Sequence, residues 1–319
     1  FKNIFKLEPG SYIVVKKSKK NIKKIFEKKY WSLKKIIEDK KNFICDQKVE
    51  TDFLNELNLH LRRSVKNQMI SDVPLGVFLS GGIDSSIITS IAQDISKVPI
   101  DTFTVGYENN FYDESPYAKK IAKYLGTNHN ELIVTEKDAQ SVIPNLSSIY
   151  DEPFADSSQI PTYLISKFAR KKITVALAGD GGDELFGGYN RYVASPKIWK
   201  AFSLLPKNIK ILLANLILSV PSLRIDSFFK LINYFLISKK KFVGSRAHRV
   251  AERLKNNNSL YDFCEDFAVE WKDLDGILNV EKKDKDCFQD LFEQNTNNII
   301  EFLDPISRLM YKDTLTYLP

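Results

Sequence analysis

From Pro74 to Ala178, short and nearly continuous apolar runs alternate with amphipathic segments, and that alternation is the strongest constraint on what this chain can fold into. Residues 75–79, 100–105, 132–134 and 173–178 are those short, nearly continuous apolar runs, and they read as strands buried on both faces. Between them Ile87, Ile88, Ile91, Ala92 and Ile95 recur at helical spacing, as do Tyr117, Ala118, Ile121, Ala122 and Leu125. Ser115 as cap, Pro116 as first helical residue and Gly126 as stop bound the second of these helices, and a third runs from Ser158 to about Lys171. This order predicts an α/β fold, a doubly wound parallel sheet. Upstream, Leu54, Leu57, Leu61 and Val65 place a helix over about residues 52–69 with Thr51 as its cap. Residues 1–35 mix β-like pieces, such as 11–15, with lysine-rich turns. After Tyr192 strand character fades, and residues 195–319 read as a helical C-terminal part with polar joints such as 255–259.

The loop Ser80-Gly81-Gly82-Ile83-Asp84-Ser85-Ser86 lies directly between a predicted strand and a predicted helix. Its glycines let the backbone approach a phosphate with no Cβ in the way. The following helix aims its unpaired N–H groups, and roughly half a positive charge, at the same spot. Ser80, Ser85 and Ser86 add hydroxyl donors. The spacing is neither the Walker loop, since no lysine follows the glycines, nor Gly-x-Gly-x-x-Gly. Asp84 is the informative residue. A carboxylate about 4 Å from a phosphate charge costs about 4 kcal/mol at an effective dielectric of about 20. A cation between the two removes that cost, and Mg2+ held by one or two carboxylates plus nucleotide phosphates is the usual arrangement. A tight strand-to-helix turn with no ligand is the plain alternative.

A second loop, Ala178-Gly179-Asp180-Gly181-Gly182-Asp183-Glu184-Leu185-Phe186-Gly187-Gly188-Tyr189, also follows a predicted strand. Five glycines and three acids within it suit neither a core nor a long helix, but do suit backbone approach to a ligand and placement of carboxylates there. If the strand order reverses between the first and fourth strands, both loops face one crevice. Asp180, Asp183 and Glu184 cannot all face one anion without a metal; one as metal ligand and another as partner to a cation or a transferred proton is sensible. An acidic surface turn is the alternative.

The 47 Lys and Arg against 40 Asp and Glu leave a formal charge of +7, mild for 319 residues. Much of the excess lies in lysine clusters (17–20, 23–24, 28–29 and 239–241), which read as solvated surface. They lack the interleaved aromatics of a single-strand binder, so no nucleic-acid partner is expected. Cys45, Cys264 and Cys287 are widely spaced and suggest neither disulfides nor a zinc site, which fits a reducing, cytoplasmic setting. The apolar stretch 211–223 falls short of the ~20 residues of a spanning helix and reads as a buried helix, so no membrane partner is expected. No signal-peptide pattern opens the sequence. His129, near the same rim as the loops, suits either a catalytic imidazole or a hydrogen-bonded structural role. Asp151, Glu152 and Asp156 could line the substrate end of the crevice or form the turn into the helix near Ser158. Arg191 could meet a substrate carboxylate or sit at the surface, and His60 and His248 receive no role.

Both loops and their surroundings resemble the glutamine-hydrolysing asparagine synthetase family within the PP-loop ATP pyrophosphatase group. The likeness is carried by Ser71-Asp72-Val73-Pro74 running into the first loop, Phe103-Thr104-Val105-Gly106, and Leu125-Gly126-Thr127-Asn128-His129. Asp151-Glu152-Pro153-Phe154-Ala155-Asp156, the second loop and residues 311–319 complete it; the match is strong over about residues 50–195. The resemblance implies a ligase that cleaves ATP between its α and β phosphates. A β-aspartyl-adenylate forms, and ammonia from glutamine converts it to asparagine, with AMP and pyrophosphate released. It implies ATP and Mg2+ as cofactors and aspartate, ATP, and glutamine or ammonia as partners. A homodimer is compatible with it, and the residues themselves are silent on assembly.

By carry-over, Ser80, Gly81, Gly82, Asp84, Ser85 and Ser86 hold the pyrophosphate, and Asp84 and Asp183 hold Mg2+. Leu79, Val105, Ala178 and Gly179 contact the adenosine. Asp180 falls where the family commonly has a glutamate associated with forming the intermediate, one methylene longer. Residues 1–45 are expected to be the tail of a glutaminase (Ntn-type) domain and a linker, with Leu7-Glu8-Pro9-Gly10-Ser11-Tyr12 matching its closing stretch; residues 46–319 form the synthetase domain. Phe1 is not the family's amino-terminal cysteine, and the family's lysine after Tyr-Leu-Pro would lie past Pro319, so truncation at both ends is expected, with ATP binding but little amidation. Rival readings are an amidotransferase acting on another carboxylate, such as a surface-polysaccharide sugar acid, and a non-catalytic ATP-binding paralogue. The several loop acids argue against the latter.

Overall fold

In the computed structural model the described residues are 4–17, 22–39, 50–108, 113–152, 156–227, 243–257, 259–260, 263 and 303–318. They divide into two compact units, Ile44–Asp183 and a second made of Phe1–Phe43 with Glu184–Pro319. The lysines at 18–20 and 239–241, all three cysteines, and Pro153, Phe154 and Ala155 lie outside the described residues.

The second unit begins with an antiparallel hairpin of β1 (Ser11–Lys17) and β2 (Ile22–Lys29), followed by α1 (Leu33–Asp39). Lysines on the hairpin make exposed ion pairs, Lys24 with Glu27 and Lys29 with Glu8, as befits a solvated face that adds little stability.

In the Ile44–Asp183 unit, α2 (Glu50–Gln68) leads into β3 (Leu75–Phe78), α3 (Ile83–Ile95), β4 (Asp101–Tyr107), α4 (Ser115–Leu125) and β5 (Asn128–Val134). Then come α5 (Glu136–Val142), the short α6 (Leu146–Ile149), α7 (Gln159–Ala169) and β6 (Val175–Leu177). The four strands are all parallel, in the order β5-β4-β3-β6. Alternate residues face opposite sides of the sheet. Val77 and Leu177 pack with Val65 of α2 and with Ile91 and Ala92 of α3. Leu79 lies with Ala118 and Ala122 of α4. Phe103, Phe78 and Ala176 meet Ile165, Phe168 and Ala169 of α7 on the other side. Helices thus cover both faces, which is the doubly wound arrangement the sequence predicts. Each fully buried Val, Leu or Phe contributes about 1.5–3 kcal/mol.

Local details differ from expectation. Ser115 is the first residue of α4 rather than its cap; Glu114 stands at the cap position. The Ser115 N–H donates instead to Asp113 Oδ1 at 3.0 Å, and the Tyr107 N–H reaches the same oxygen at 3.3 Å. Gly126 ends α4 at φ 72°, the left-handed stop anticipated for it. Thr51 lies inside α2, which begins at Glu50. β5 starts at Asn128, well before the apolar residues that marked it, because an edge strand has only one paired side and accepts the polar run 128–131.

Beyond the sheet, α8 (Gly182–Phe186), α9 (Asn190–Ser203), α10 (Lys207–Ser219) and the helices Val243–Asn256 and Pro305–Thr316 follow. Tyr192, Leu254, Phe263 and Leu309 form their core. The stretch 211–223 is not the buried helix expected. Only Ala214 of α10 is buried, while Leu212 and Leu216 are 63% and 62% exposed, and the helix stops at Val220, just before Pro221. Among the described residues no single helix is long and apolar enough to cross a membrane; α9 and α10 would serve only as a pair bent by 118°.

Candidate nucleotide site

The residues given a nucleotide, metal or catalytic role by the resemblance, from Leu79 to Asp183, fall within the Ile44–Asp183 unit, whereas Glu184 and Arg191 belong to the other. The chain runs outward from β3 through β4 to β5, then returns to place β6 on the other side of β3. That reversal sets the loops after β3 and β6 side by side at the carboxyl ends of adjacent strands, the position at which such sheets bind ligands.

The first loop turns at Gly81, whose φ of 89° L side chains rarely adopt. A Cβ there would stand 2.7 Å from the Ala118 nitrogen, so the start of α4 leaves no space for one. Gly82 is the N-cap of α3 and supplies no side-chain bond, so the first-turn amides keep no side-chain acceptor. The serines mostly brace the loop itself. The Ser80 N–H donates to Ser85 Oγ at 3.2 Å, and the two hydroxyls lie 3.0 Å apart. The Ser85 and Ser86 hydroxyls donate to the Gly82 carbonyl at 3.3 and 2.5 Å. The hydroxyls expected to donate to phosphate therefore shape the turn, and backbone amides are the principal anion donors it offers.

The second loop presses directly on the first. A Cβ on Gly179 would meet the Ser85 nitrogen at 2.8 Å, and one on Gly182 would lie 2.5 Å from both Cγ and Oδ2 of Asp84. The Gly182 N–H closes the turn on the Gly179 carbonyl at 3.3 Å, with Gly181 at φ 87° between them. Asp84 is thus held against the residue that precedes Asp183, and both carboxylates are half-buried. Asp180 is exposed at the loop tip. Glu184 is not part of this acidic face: it is 4% exposed and accepts a hydrogen bond from the Tyr189 hydroxyl at 2.7 Å.

Leu79 is buried beneath α4, and its carbonyl accepts a hydrogen bond from the Thr104 hydroxyl. Its N–H donates to the Phe103 carbonyl at 2.9 Å, so the remaining lone pair of its carbonyl is what Leu79 can offer a ligand. Val105 is half-buried near the end of β4, and Ala178 leads into the second loop. Among the described residues no group of three or more His, Cys, Asp or Glu could hold a metal. Asp84 and Asp183, two carboxylates beside the first-turn amides of α3, are a donor pair that would suit Mg2+.

Other candidates resolve differently. His129 sits at the amino end of β5, paired with Thr102, and so lies at the opposite rim from the loops. Its Nδ1 meets Thr102 Oγ1 at 3.1 Å and its Nε2 is buried; burial holds its pKa below the usual 6.5, although Glu131 pulls the other way. Arg191, considered for a substrate carboxylate, donates to Asp313 Oδ2 at 2.7 Å. Asp156 accepts the Ser158 N–H at 2.7 Å at the start of α7, the turn reading, while Asp151 and Glu152 are exposed. Sequence reasoning gave Thr104 no role of its own. Thr104 is one of two threonines in β4, both buried, and nothing in their spacing separates the one that bonds the Leu79 carbonyl.

The family described as Asparagine synthase matches residues 56–319, and the chain belongs to that family. Asparagine synthetase [glutamine-hydrolyzing] 1 of Bacillus subtilis is 38% identical over 182 residues, covering 57% of this chain and 28% of that protein. A Methanocaldococcus jannaschii protein that bears the asparagine synthetase name provisionally is 41% identical over 201 residues, 59% of this chain and 35% of its own length. Asparagine synthetase B of Escherichia coli is 34% identical, over 44% of this chain and 28% of the relative. The chain thus spans about a third or less of the length of these relatives.

Proposed function

We propose that the chain is the ATP-using part of a cytoplasmic, glutamine-dependent asparagine synthetase. ATP is cleaved between its α and β phosphates, a carboxylate is activated as an adenylate, and ammonia released from glutamine displaces AMP. Family membership supports the reaction class, and aspartate as acceptor follows the names of the relatives. The observation that carries the reading is the contact of the two loops: the Asp84 carboxylate lies against Gly182, beside Asp183, at the tips of adjacent parallel strands.

In this reading the α3 amides and the Gly81–Gly82 backbone bind the pyrophosphate, where a helix N-terminus favours negative charge. Asp84 and Asp183 would hold Mg2+, which neutralises charge on the phosphates when bound. The backbones of Leu79, Ala178 and Gly179 and the side chain of Val105 bound the adenosine. Asp180, exposed and two residues before the crowded Gly182, orients the reacting carboxylate or a proton rather than binding metal.

Residues 1–45 are assigned, on the same reading, to the end of a glutaminase domain and its linker. The β1–β2 hairpin supports this. Two-stranded hairpins are marginal alone, and here Ile13, Val15, Ile25 and Phe26 are each at least 42% exposed, on both faces.

Asp84→Asn tests the site. It keeps the side chain's shape and removes its charge, so Mg2+-dependent ATP affinity should fall at least tenfold with thermal stability unchanged; equal affinity would remove Asp84 from the metal position. Pyrophosphate release by the full chain driven by aspartate, and not by a uronic acid, would fix the acceptor; the reverse would assign the related amidotransferase reaction.

A further inference from the structure

Glu184 and Asp313 are the two buried carboxylates among the described residues, each 4% exposed, and the phosphate site uses neither. Burying a carboxylate is costly unless it is paired or hydrogen-bonded, and both are held in one continuous cluster. The Tyr189 hydroxyl donates to Glu184 Oε1 at 2.7 Å. The Arg191 guanidinium stacks 4.5 Å from the centre of the Tyr189 ring, with the Tyr192 and Tyr317 rings at 5.6 and 5.5 Å. Arg191 then pairs with Asp313 at 2.7 Å, and the Tyr192 hydroxyl bonds the same carboxylate oxygen. Asp313 belongs to the helix Pro305–Thr316, 122 residues after Arg191.

Glu184 lies in α8, which has only five residues and is followed by Gly187 and Gly188. A helix this short does not hold itself in water, and the glycines around it impose little direction. Successive residues on a helix point about 100° apart, so holding Glu184 inward sets the direction in which the Cα–Cβ bond of its neighbour Asp183 leaves the helix.

We propose that Glu184, Tyr189 and Arg191 are positioning residues: through the buried Tyr189–Glu184 bond, braced by the Arg191–Asp313 pair, they aim the Asp183 carboxylate without touching the nucleotide. The inference rests on the proposed reading of Asp183 as a metal ligand. Groups that orient metal ligands typically contribute 10–100-fold to metal affinity.

The test is the Mg2+ concentration that half-saturates binding of a fluorescent ATP analogue to the full chain, measured well below each variant's Tm. Tyr189→Phe removes the hydroxyl and keeps the ring under Arg191; its half-saturating Mg2+ should rise about tenfold. Glu184→Ala should match it, and Glu184→Gln, whose amide oxygen still accepts the Tyr189 hydroxyl, should restore it to within about twofold of the unsubstituted protein. A lowered Tm with Mg2+ dependence unchanged in Tyr189→Phe would make the cluster purely structural and overturn the proposal. If Glu184→Ala does not fold, Tyr189→Phe carries the measurement alone. Absence of Mg2+-dependent ATP binding in the unsubstituted protein would overturn the proposed function as well, so the two failures are distinguishable.

Discussion

Gly182→Ala puts the smallest possible obstacle into the contact on which the proposed site depends. The added Cβ would lie 2.5 Å from Cγ and Oδ2 of Asp84. Ordinary carbon contacts sit at about 3.5–4.0 Å, so the carboxylate must retreat by about 1 Å. The backbone does not resist the change: Gly182 is absent from the positive-φ glycines and opens α8, where alanine is the better helix former. The carboxylate is the far end of a short side chain and can move without unfolding anything. Mg2+, in contrast, demands near-ideal octahedral geometry with ligand distances of about 2.0–2.1 Å, and misplacement by about 1 Å costs on the order of 100-fold. The expected outcome is thermal stability equal to or slightly above that of the parent, with Mg2+-dependent ATP affinity and pyrophosphate release reduced about 100-fold, equivalent to about 2.7 kcal/mol. Titration with a fluorescent ATP analogue at several Mg2+ concentrations, alongside thermal unfolding, reads both quantities. A folded Gly182→Ala protein with undiminished Mg2+-ATP affinity would show that the Asp84 carboxylate does not serve the nucleotide, and the reasoning would fail.

Two further predictions concern the frame around the site. Gly81→Ala combines a φ of 89° with a Cβ 2.7 Å from a backbone nitrogen that cannot step aside; it should lower stability by about 1–3 kcal/mol and abolish ATP binding. Gly126→Ala, at φ 72° with nothing within 4 Å, should cost only about 1–2 kcal/mol and leave binding intact, as urea unfolding with parallel titrations would show. Asp304 caps the helix Pro305–Thr316 by accepting the Ile306 and Ser307 N–H groups. Burial raises its pKa, but the bonds from Ser307 and Ile306 outweigh it and hold the carboxyl below the ordinary 3.8. A depressed carboxylate stabilises the fold above the unfolded value and loses that contribution as pH falls through the folded one. Asp304→Ala should therefore cost about 1 kcal/mol at neutral pH, and the difference from the parent should shrink in urea titrations taken below pH 3.8. Asp304→Asn should keep most of the cap.

Much of the sheet was legible because burial on both faces leaves a local mark: residues 75–78 and 101–107 are apolar or small nearly throughout, and the stripes of α3 and α4 repeat every three or four residues. β5 was found late in its span because half of it is polar at a sheet edge. The stretch 211–223 misled for the converse reason. Apolar composition says that a segment tolerates burial, not that anything covers it, and Leu212 and Leu216 are exposed.

What the order of residues determined by itself is the chemistry of the two turns. Glycines at 81, 179 and 182 are needed where another backbone or side chain comes within 3 Å, and Asp84, Asp180 and Asp183 supply the charge. Which of these groups meet is settled by packing in three dimensions. The return of β6 to the side of β3 brings Gly182 onto Asp84 across nearly a hundred residues, the amino-end position of His129 takes it away from the loops, and Glu184 is drawn inward by Tyr189. Spacing along a chain governs which side of a helix or strand a residue occupies; partners far apart in sequence are chosen by packing, and no local pattern records that choice.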